Sequence, residues 1–396
     1  MGTDKFGKGV FMKSEEAFEK IFGCNSEKTL FCPYRVCPLG AHIDHQHGKV
    51  TGFAVDKGVH FSYKKTGDGS IALSSLQFDG QKSFNLKNIP PKQCDWADYM
   101  RGASKVLAEE KNISCGLTGV FDGDLPAGGI SSSAAVIIVF LKALADVNGI
   151  VLSNDEMISF SRKAENEYVG VNCGILDQSC EVLCKKDSLL FLDTSDGSFS
   201  LIKKPENCAD FEIGIFYSGL ERSLAGTDYN SRVEECCTAS SLLMGETKNT
   251  GRYLLRDVPE DVFRKNKNTL PENIRKRAEH YYSESERVEK GVKAFSDGNI
   301  AEFGKFINES GMSSVVNYEA GCEELIALYE ILRDTEGVYG ARFSGAGFKG
   351  SCMAVINPDF KEKIKSEVTQ KYLNRFPELK TEFSVTFCKT ADGVGI

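Results

Sequence analysis

The run Pro126-Ala127-Gly128-Gly129-Ile130-Ser131-Ser132-Ser133-Ala134 follows LTGVFDGDL (117–125), which reads as a strand. It precedes a segment, 131–148, in which Val136, Phe140 and Leu144 recur along one helical face, with Gly149 as a stop signal. Glycines let backbone N–H groups turn toward an anion, and a helix N-terminus carries partial positive charge. The serines can cap the helix, donate to phosphate oxygens or ligate Mg²⁺. A Ser-capped helix without a ligand is spelled by the same letters. The chain has no GxxxxGK[ST] and no GxGxxG after a first strand. A Walker-type loop is therefore excluded and a dinucleotide fold disfavoured.

Upstream lies Tyr34-Arg35-Val36-Cys37-Pro38-Leu39-Gly40-Ala41-His42-Ile43-Asp44-His45. It gathers an Arg, a His and an Asp around a Pro-Leu-Gly turn. Asp accepts hydrogen bonds, His does either, and Arg fixes charge, a set that suits a small, hydroxyl-rich ligand. Downstream, Glu165 and Asp177 flank Val171-Asn172-Cys173-Gly174-Ile175-Leu176, and a Gly-rich turn occupies Gly340 to Gly350. Read singly, Asp177 is a surface or capping Asp and the Gly-rich turn a tight hairpin. His42, His45 and His47 lack a carboxylate-rich zinc spacing, so contact with such a hydroxyl-rich ligand or solvent exposure is expected of them.

The chain of 396 residues has room for two domains. It is 41% hydrophobic and 26% charged, an ordinary globular composition. Lys+Arg 48 against Asp+Glu 56 leaves a net charge of -8, so no basic face is offered to nucleic acid. The 14 cysteines include no CxxC pair, and Met1 to Gly9 is polar; reduced thiols in the cytoplasm are expected. The longest apolar run, near Ala134 to Leu144, is too short to span a bilayer and contains Lys142, so no membrane partner is expected. Strands are expected in 28–63, 188–193, 211–216, 343–357 and 382–388, and helices at 153–171, through most of 229–335 and at 358–376. The polar break Pro205-Glu206-Asn207 sets the expected domains at 1–205 and 206–396.

Together these motifs resemble the GHMP kinase superfamily and, within it, galactokinases, over roughly residues 28 to 396. The serine run is similar to the family's Gly-Leu-Ser-Ser-Ser-Ala phosphate loop, with Ile130 in place of Leu and Pro126 one position closer to the serines. Gly174-Ile175-Leu176-Asp177-Gln178 resembles Gly-Ile-Met-Asp-Gln. Gly340-Ala341-Arg342-Phe343-Ser344-Gly345-Ala346-Gly347 resembles the third motif, whose glycines close over the phosphates. The resemblance implies an α+β fold in two domains, an N-terminal mixed-sheet domain and a C-terminal ferredoxin-like domain, with the site in the cleft. It implies Asp177 as catalytic base with Arg35 beside it, and sugar contacts from the Ala41 position, His42, Asp44, Gly174, Asp177 and Tyr229. It implies ATP held by Trp96, Gly128, Gly129, Ser131, Ser132, Ser133, Gly345 and Gly347, and Mg²⁺ held by Ser132 and Glu165.

The family's recognition run reads Gly-Glu-His-Thr-Asp-Tyr, its Glu and His reaching the sugar 6-hydroxyl. Here it reads Gly40-Ala41-His42-Ile43-Asp44-His45. A Glu facing a 6-carboxylate would be a like-charge clash; Ala41 removes it and leaves room, with His42, His45 or His47 as donors. The wording is close to the galacturonokinase branch, which Lys57 also fits. The expected activity is transfer of the ATP γ-phosphate to the anomeric hydroxyl of D-galacturonate. D-Galactose is the alternative, and a non-catalytic sugar and ATP sensor the alternative of another class. Monomer and homodimer stay open.

Overall fold

The computed structural model describes residues 13–126, 132–220 and 229–394. Strands β1 (Lys28–Val36), β2 (Lys49–Thr66), β3 (Ser70–Ser75), β4 (Lys82–Asn85), β5 (Gly116–Gly123), β6 (Ser188–Asp193) and β7 (Phe199–Lys203) belong to the first sheet. Its order is β4-β3-β5-β2-β6-β7. The long β2 is the spine: β1 pairs with it antiparallel, setting Arg35 opposite Ala54. A break in register after Pro33 re-aims the end of β1, as bulges do beside sites.

The second sheet has β8 (Glu212–Tyr217), β9 (Val338–Phe343), β10 (Ser351–Ile356) and β11 (Ser384–Cys388) in the order β11-β8-β10-β9, all antiparallel. The short β12 (Thr390–Ala391) then returns to pair with β2 in the first sheet.

Helices α1 (Ser14–Phe22), α2 (Asp98–Glu110), α3 (Ser132–Val147), α4 (Asn154–Lys163) and α5 (Leu176–Leu183) accompany the first sheet. In α3, Ile137, Ile138, Phe140, Leu141 and Leu144 are all buried. Such a run of apolar side chains must be covered by the elements around it, and each contributes roughly 1.5–3 kcal/mol. The later helices are α6 (Tyr229–Leu243), α7 (Glu260–Asn266), α8 (Glu272–Ser296), α9 (Ile300–Val316), α10 (Glu323–Arg333) and α11 (Lys361–Arg375). The main core runs through both sheets' layers; Phe53 of β2 meets the rings of Phe211 and Phe295 at 5.7 and 5.8 Å.

The expected single helix over 153–171 is corrected. Ser153 and Glu156 form a reciprocal capping box that starts α4, but the helix widens into a π turn at Ala164–Val169. The Glu165 carbonyl takes the N–H groups of Gly170 and Val171, and Gly170 (φ 84°) stops the helix. Such single-turn widenings recur at functional sites, and this one carries Glu165. The expected phosphate-loop residues Gly128, Gly129 and Ser131 lie outside the described residues, as does the Ser132 side chain.

Candidate active site

Four segments converge where β1 ends. Arg35, its side chain only 4% exposed, sets Nε at 2.7 Å and Nη2 at 2.6 Å from Oδ1 of Asp177 in the first turn of α5. Burial opposes the Arg35 charge, but the Asp177 carboxylate overrides it and holds the guanidinium above its ordinary value. Arg35 Nη1 is buried and has no hydrogen-bond partner among the described residues. A buried donor of this kind is costly unless something else fills it.

The loop from Cys37 to Gly48 carries Asp44 to the same place. A Cβ on Gly174 would stand 2.2 Å from Asp44 Oδ2, so only glycine admits that carboxylate. Burial, reinforced by Asp177, pushes the Asp44 carboxyl up to about 6, against the pull of Arg35. Gly40 (φ 94°) makes the loop's tight turn; a Cβ there would lie 2.6 Å from Val50 Cα.

The histidines split. His42 is buried, has φ 67°, and stacks on Tyr318 at 4.4 Å and 13°. His45 corrects the expectation that it donates to a substrate carboxylate. The Gln46 carbonyl oxygen accepts from Leu255 N–H at 3.0 Å, so its amide nitrogen donates to His45 Nδ1 at 3.1 Å. The His45 proton is then on Nε2, 3.0 Å from the Tyr318 hydroxyl, and both ring nitrogens are occupied. Burial, with His280 nearby, lowers this imidazole to about 4, so it is neutral at pH 7. His47 (φ 57°) closes the loop. Tyr229, first residue of α6, meets His45 edge-on at 6.1 Å. Lys57 lies along β2, where it acts on Asp124.

Behind Asp177, Glu165 is buried and held by its neighbours. Ser133 Oγ donates to Oε1 at 2.9 Å, Gln178 Nε2 to Oε2 at 3.0 Å, and the Cys173 thiol approaches Oε2 at 3.5 Å. Gly345 (φ 67°) and Gly347 (φ 76°) turn the loop between β9 and β10, and a Cβ on Gly347 would lie 2.4 Å from Ala320 O. Trp96 precedes α2 and points its indole N–H toward Asp79 O at 3.4 Å; it makes no hydrogen bond to the Arg35–Asp177 cluster among the described residues. Among the described residues no group of three His, Cys, Asp or Glu side chains gathers in a form that holds a metal ion. No helix among them is long and apolar enough to cross a membrane.

Sequence reasoning passed over Tyr318, His280 and Glu284. All three are fully buried, and they face the 37–48 loop from α8 and from the segment after α9. In sequence they sit among charged helical residues with nothing to mark them out.

Residues 98–185 match the GHMP kinases N terminal domain, and residues 292–374 the GHMP kinases C terminal domain. The chain belongs to the GHMP kinases, and its own family there is that of the galactokinases and galacturonokinase. It is 38% identical over 395 residues to a galacturonokinase of Arabidopsis thaliana, covering 93% of each chain. It is 33% identical over 372 residues to a galactokinase of Pyrococcus furiosus, covering 94% of this chain and all of that one. The fold superposes on Lactococcus lactis galactokinase complexed with galactose with a TM-score of 0.87, at 27% identity, over 96% of this chain and 97% of that one. Membership of this kinase family implies ATP as the phosphoryl donor.

Proposed function

We propose that the protein is a sugar 1-kinase that phosphorylates the anomeric hydroxyl of D-galacturonate, with ATP as donor and Mg²⁺ as its metal. The observation that carries this reading is the Arg35–Asp177 pair, closed by Asp44 over Gly174. It supplies a carboxylate to take a proton, a second to grip ring hydroxyls, and a buried cation with one donor to spare.

In this reading the sugar lies across Gly174, with ring hydroxyls donating to Asp44. His42, Tyr229 and the Ala41 position border the far end of the ring. Asp177 accepts the proton of the anomeric hydroxyl as the new O–P bond forms. The bond from the γ-phosphorus to its bridging oxygen breaks, and ADP leaves with that electron pair. Arg35 orients Asp177, and its spare Nη1–H is offered to an equatorial phosphoryl oxygen. The serine loop, Trp96 and the glycines at 345 and 347 hold the nucleotide.

The donor set suits Mg²⁺: the buried Glu165 carboxylate, with the Ser133 hydroxyl beside it, is an oxygen donor of the kind this ion takes together with water and phosphate oxygens. Ser132 and Glu165 would hold the ion, which neutralises phosphate charge.

Ala41 favours galacturonate over galactose. It is buried beside His42, its small side chain adds no negative charge, and the relative named galacturonokinase points the same way. We place the domain division at 205/206, supported by the passage of the chain from the first sheet to the second between Lys203 and Glu212. A cytoplasmic setting is supported by the free thiols, none of the cysteines being paired. The test is ADP release with ATP, Mg²⁺ and a panel of galacturonate, galactose, glucuronate and N-acetylgalactosamine. Galacturonate should give the highest kcat/KM. Faster turnover of galactose would reverse the choice of substrate, and sugar and ATP binding without ADP would mark a sensor.

A further inference from the structure

The loop that carries Ala41, His42 and Asp44 does not stand on the first sheet alone. One face of α8 meets it at three successive residues, one through a side chain and two through the backbone. Leu39 sits in a notch at Gly291, where a Cβ would lie 2.1 Å from Leu39 Cδ1. Gly40 N–H donates to Glu284 Oε1 at 2.7 Å. His280 Nε2 lies 3.1 Å from the Ala41 carbonyl, which only accepts, so Nε2 carries the proton. Ser313 Oγ, at 2.9 Å from His280 Nδ1, then donates to the ring and fixes that tautomer.

Glu284 is fully buried, and its two oxygens do different things. Oε2 takes the Arg287 guanidinium, with Nε at 2.8 Å. Oε1 takes Gly40 N–H, the Ser310 hydroxyl at 2.5 Å and, more distantly, Arg342 Nη1 at 3.4 Å. Arg342 also reaches Ser310 and Ser314 from β9, the strand that leads into the third Gly-rich loop. Burial works against the carboxylate, but Arg287 and Arg342 outweigh it and hold the acid down at about 2. The charge is therefore permanent at neutral pH, and so is the grip on the Gly40 peptide.

We infer that Glu284, with His280 one turn before it, is a positioning pair for sugar binding. Together they hold the Leu39–Gly40 and Ala41–His42 peptides, on either side of the Gly40–Ala41 peptide, and with them the place of Ala41, His42 and Asp44 against the substrate. This rests on the proposed assignment of that loop to the sugar. Neither side chain touches substrate in this account. Two anchors that hold the N–H of Gly40 and the C=O of Ala41, at the two ends of one dipeptide, resist both rotation and lift of the loop. A site that must hold a ring hydroxyl to within a fraction of an ångström needs such support.

The test compares Glu284→Gln with Arg287→Gln and reads sugar affinity by calorimetry, kcat and KM by ADP release, and folding by circular dichroism. Arg287→Gln removes a partner of the same carboxylate, but on Oε2, away from the loop. Glu284→Gln should weaken sugar binding and raise the sugar KM about tenfold while kcat stays within about threefold. Arg287→Gln should leave sugar affinity within about twofold, whatever it does to stability. Equal losses in the two variants, or unchanged sugar affinity in folded Glu284→Gln, would overturn the inference. If Glu284→Gln does not fold, Ser310→Ala removes one donor to Oε1 without stranding a charge. It should weaken sugar binding about threefold, and no change would overturn the inference. A wild type that binds neither galacturonate nor galactose removes the proposed function and this inference together. A wild type that binds sugar, beside a Glu284→Gln that binds it equally, removes the inference alone.

Discussion

Asp44→Asn should make the protein more stable and nearly inactive. The carboxyl group of Asp44 is pushed from 3.8 to about 6, by burial first and by Asp177 second. A folded-state value above the unfolded one means that the ionised form is penalised in the fold. The penalty is full above pH ~6 and fades as the pH falls toward ~4, where the group is protonated in both states. That rise to about 6 corresponds to about 3 kcal/mol, at about 1.36 kcal/mol for each tenfold change in acidity. The Asp44 side chain is only half-buried, so solvent screening reduces this to about 1–3 kcal/mol. Asn keeps the shape and carries no charge. Urea unfolding followed by circular dichroism at about pH 7.5 should therefore show the variant more stable by about 1–3 kcal/mol, with the gain shrinking to nothing near pH 4. Sugar turnover should fall by roughly 100-fold or more, because the charged acceptor for ring hydroxyls is lost. A variant no more stable than wild type at neutral pH would refute the reasoning. So would a gain that does not change with pH. Either result would mean that the Asp44 charge is not strained in the free protein and that its burial is not the cost of a binding site.

The other predictions concern the same cleft. Ala41→Glu should swing the galacturonate-to-galactose ratio of kcat/KM about 100-fold toward galactose, since two unit charges ~6 Å apart repel by about 3 kcal/mol at an effective dielectric of 20. An unchanged ratio would remove the charge argument for substrate choice. Asp177→Asn should lower turnover by roughly 1,000-fold or more while ADP affinity, read by calorimetry, stays within about threefold. A variant that keeps a tenth of its activity would relieve Asp177 of the proton. Gly174→Ala places a methyl group 2.2 Å from Asp44 Oδ2, so the carboxylate must swing away. The sugar KM should rise at least about tenfold with the ATP KM unchanged, and a normal sugar KM would show that Asp44 does not serve the sugar from this position.

The fold was legible because its periodicities are plain. The strand 117–125 and the apolar helix after it are expected from the letters, and their ends shift by a residue or two, while the strand region 28–63 resolves into β1 and a long β2 that runs on to Thr66. The π turn was not, because hydrophobic spacing gives no sign of one extra residue in a turn; only Gly170 marked its end. Arg35, Asp44 and Asp177 were readable as a set because motif resemblance joins segments far apart in the chain, a link no local pattern makes. The His45 role was misread for the same physical reason that hid Tyr318 and Glu284. The direction of a hydrogen bond depends on the partner across the interface, and that partner is set by packing between the two sheets. His45 looks like a donor to substrate until Gln46 and Tyr318 are seen to occupy both its nitrogens. Glu284 looks like one more acidic residue on a charged helix until Gly40 N–H is found on its oxygen.

The most direct measurement is the two-dimensional ¹H–³¹P spectrum of the product formed from ATP, Mg²⁺ and D-galacturonate. If the anomeric oxygen faces Asp177 and the last phosphate, the phosphorus of the new ester couples to the anomeric proton. Phosphate carried on any other sugar carbon would contradict that arrangement. So would folded protein that forms no ester with any hexose or uronic acid.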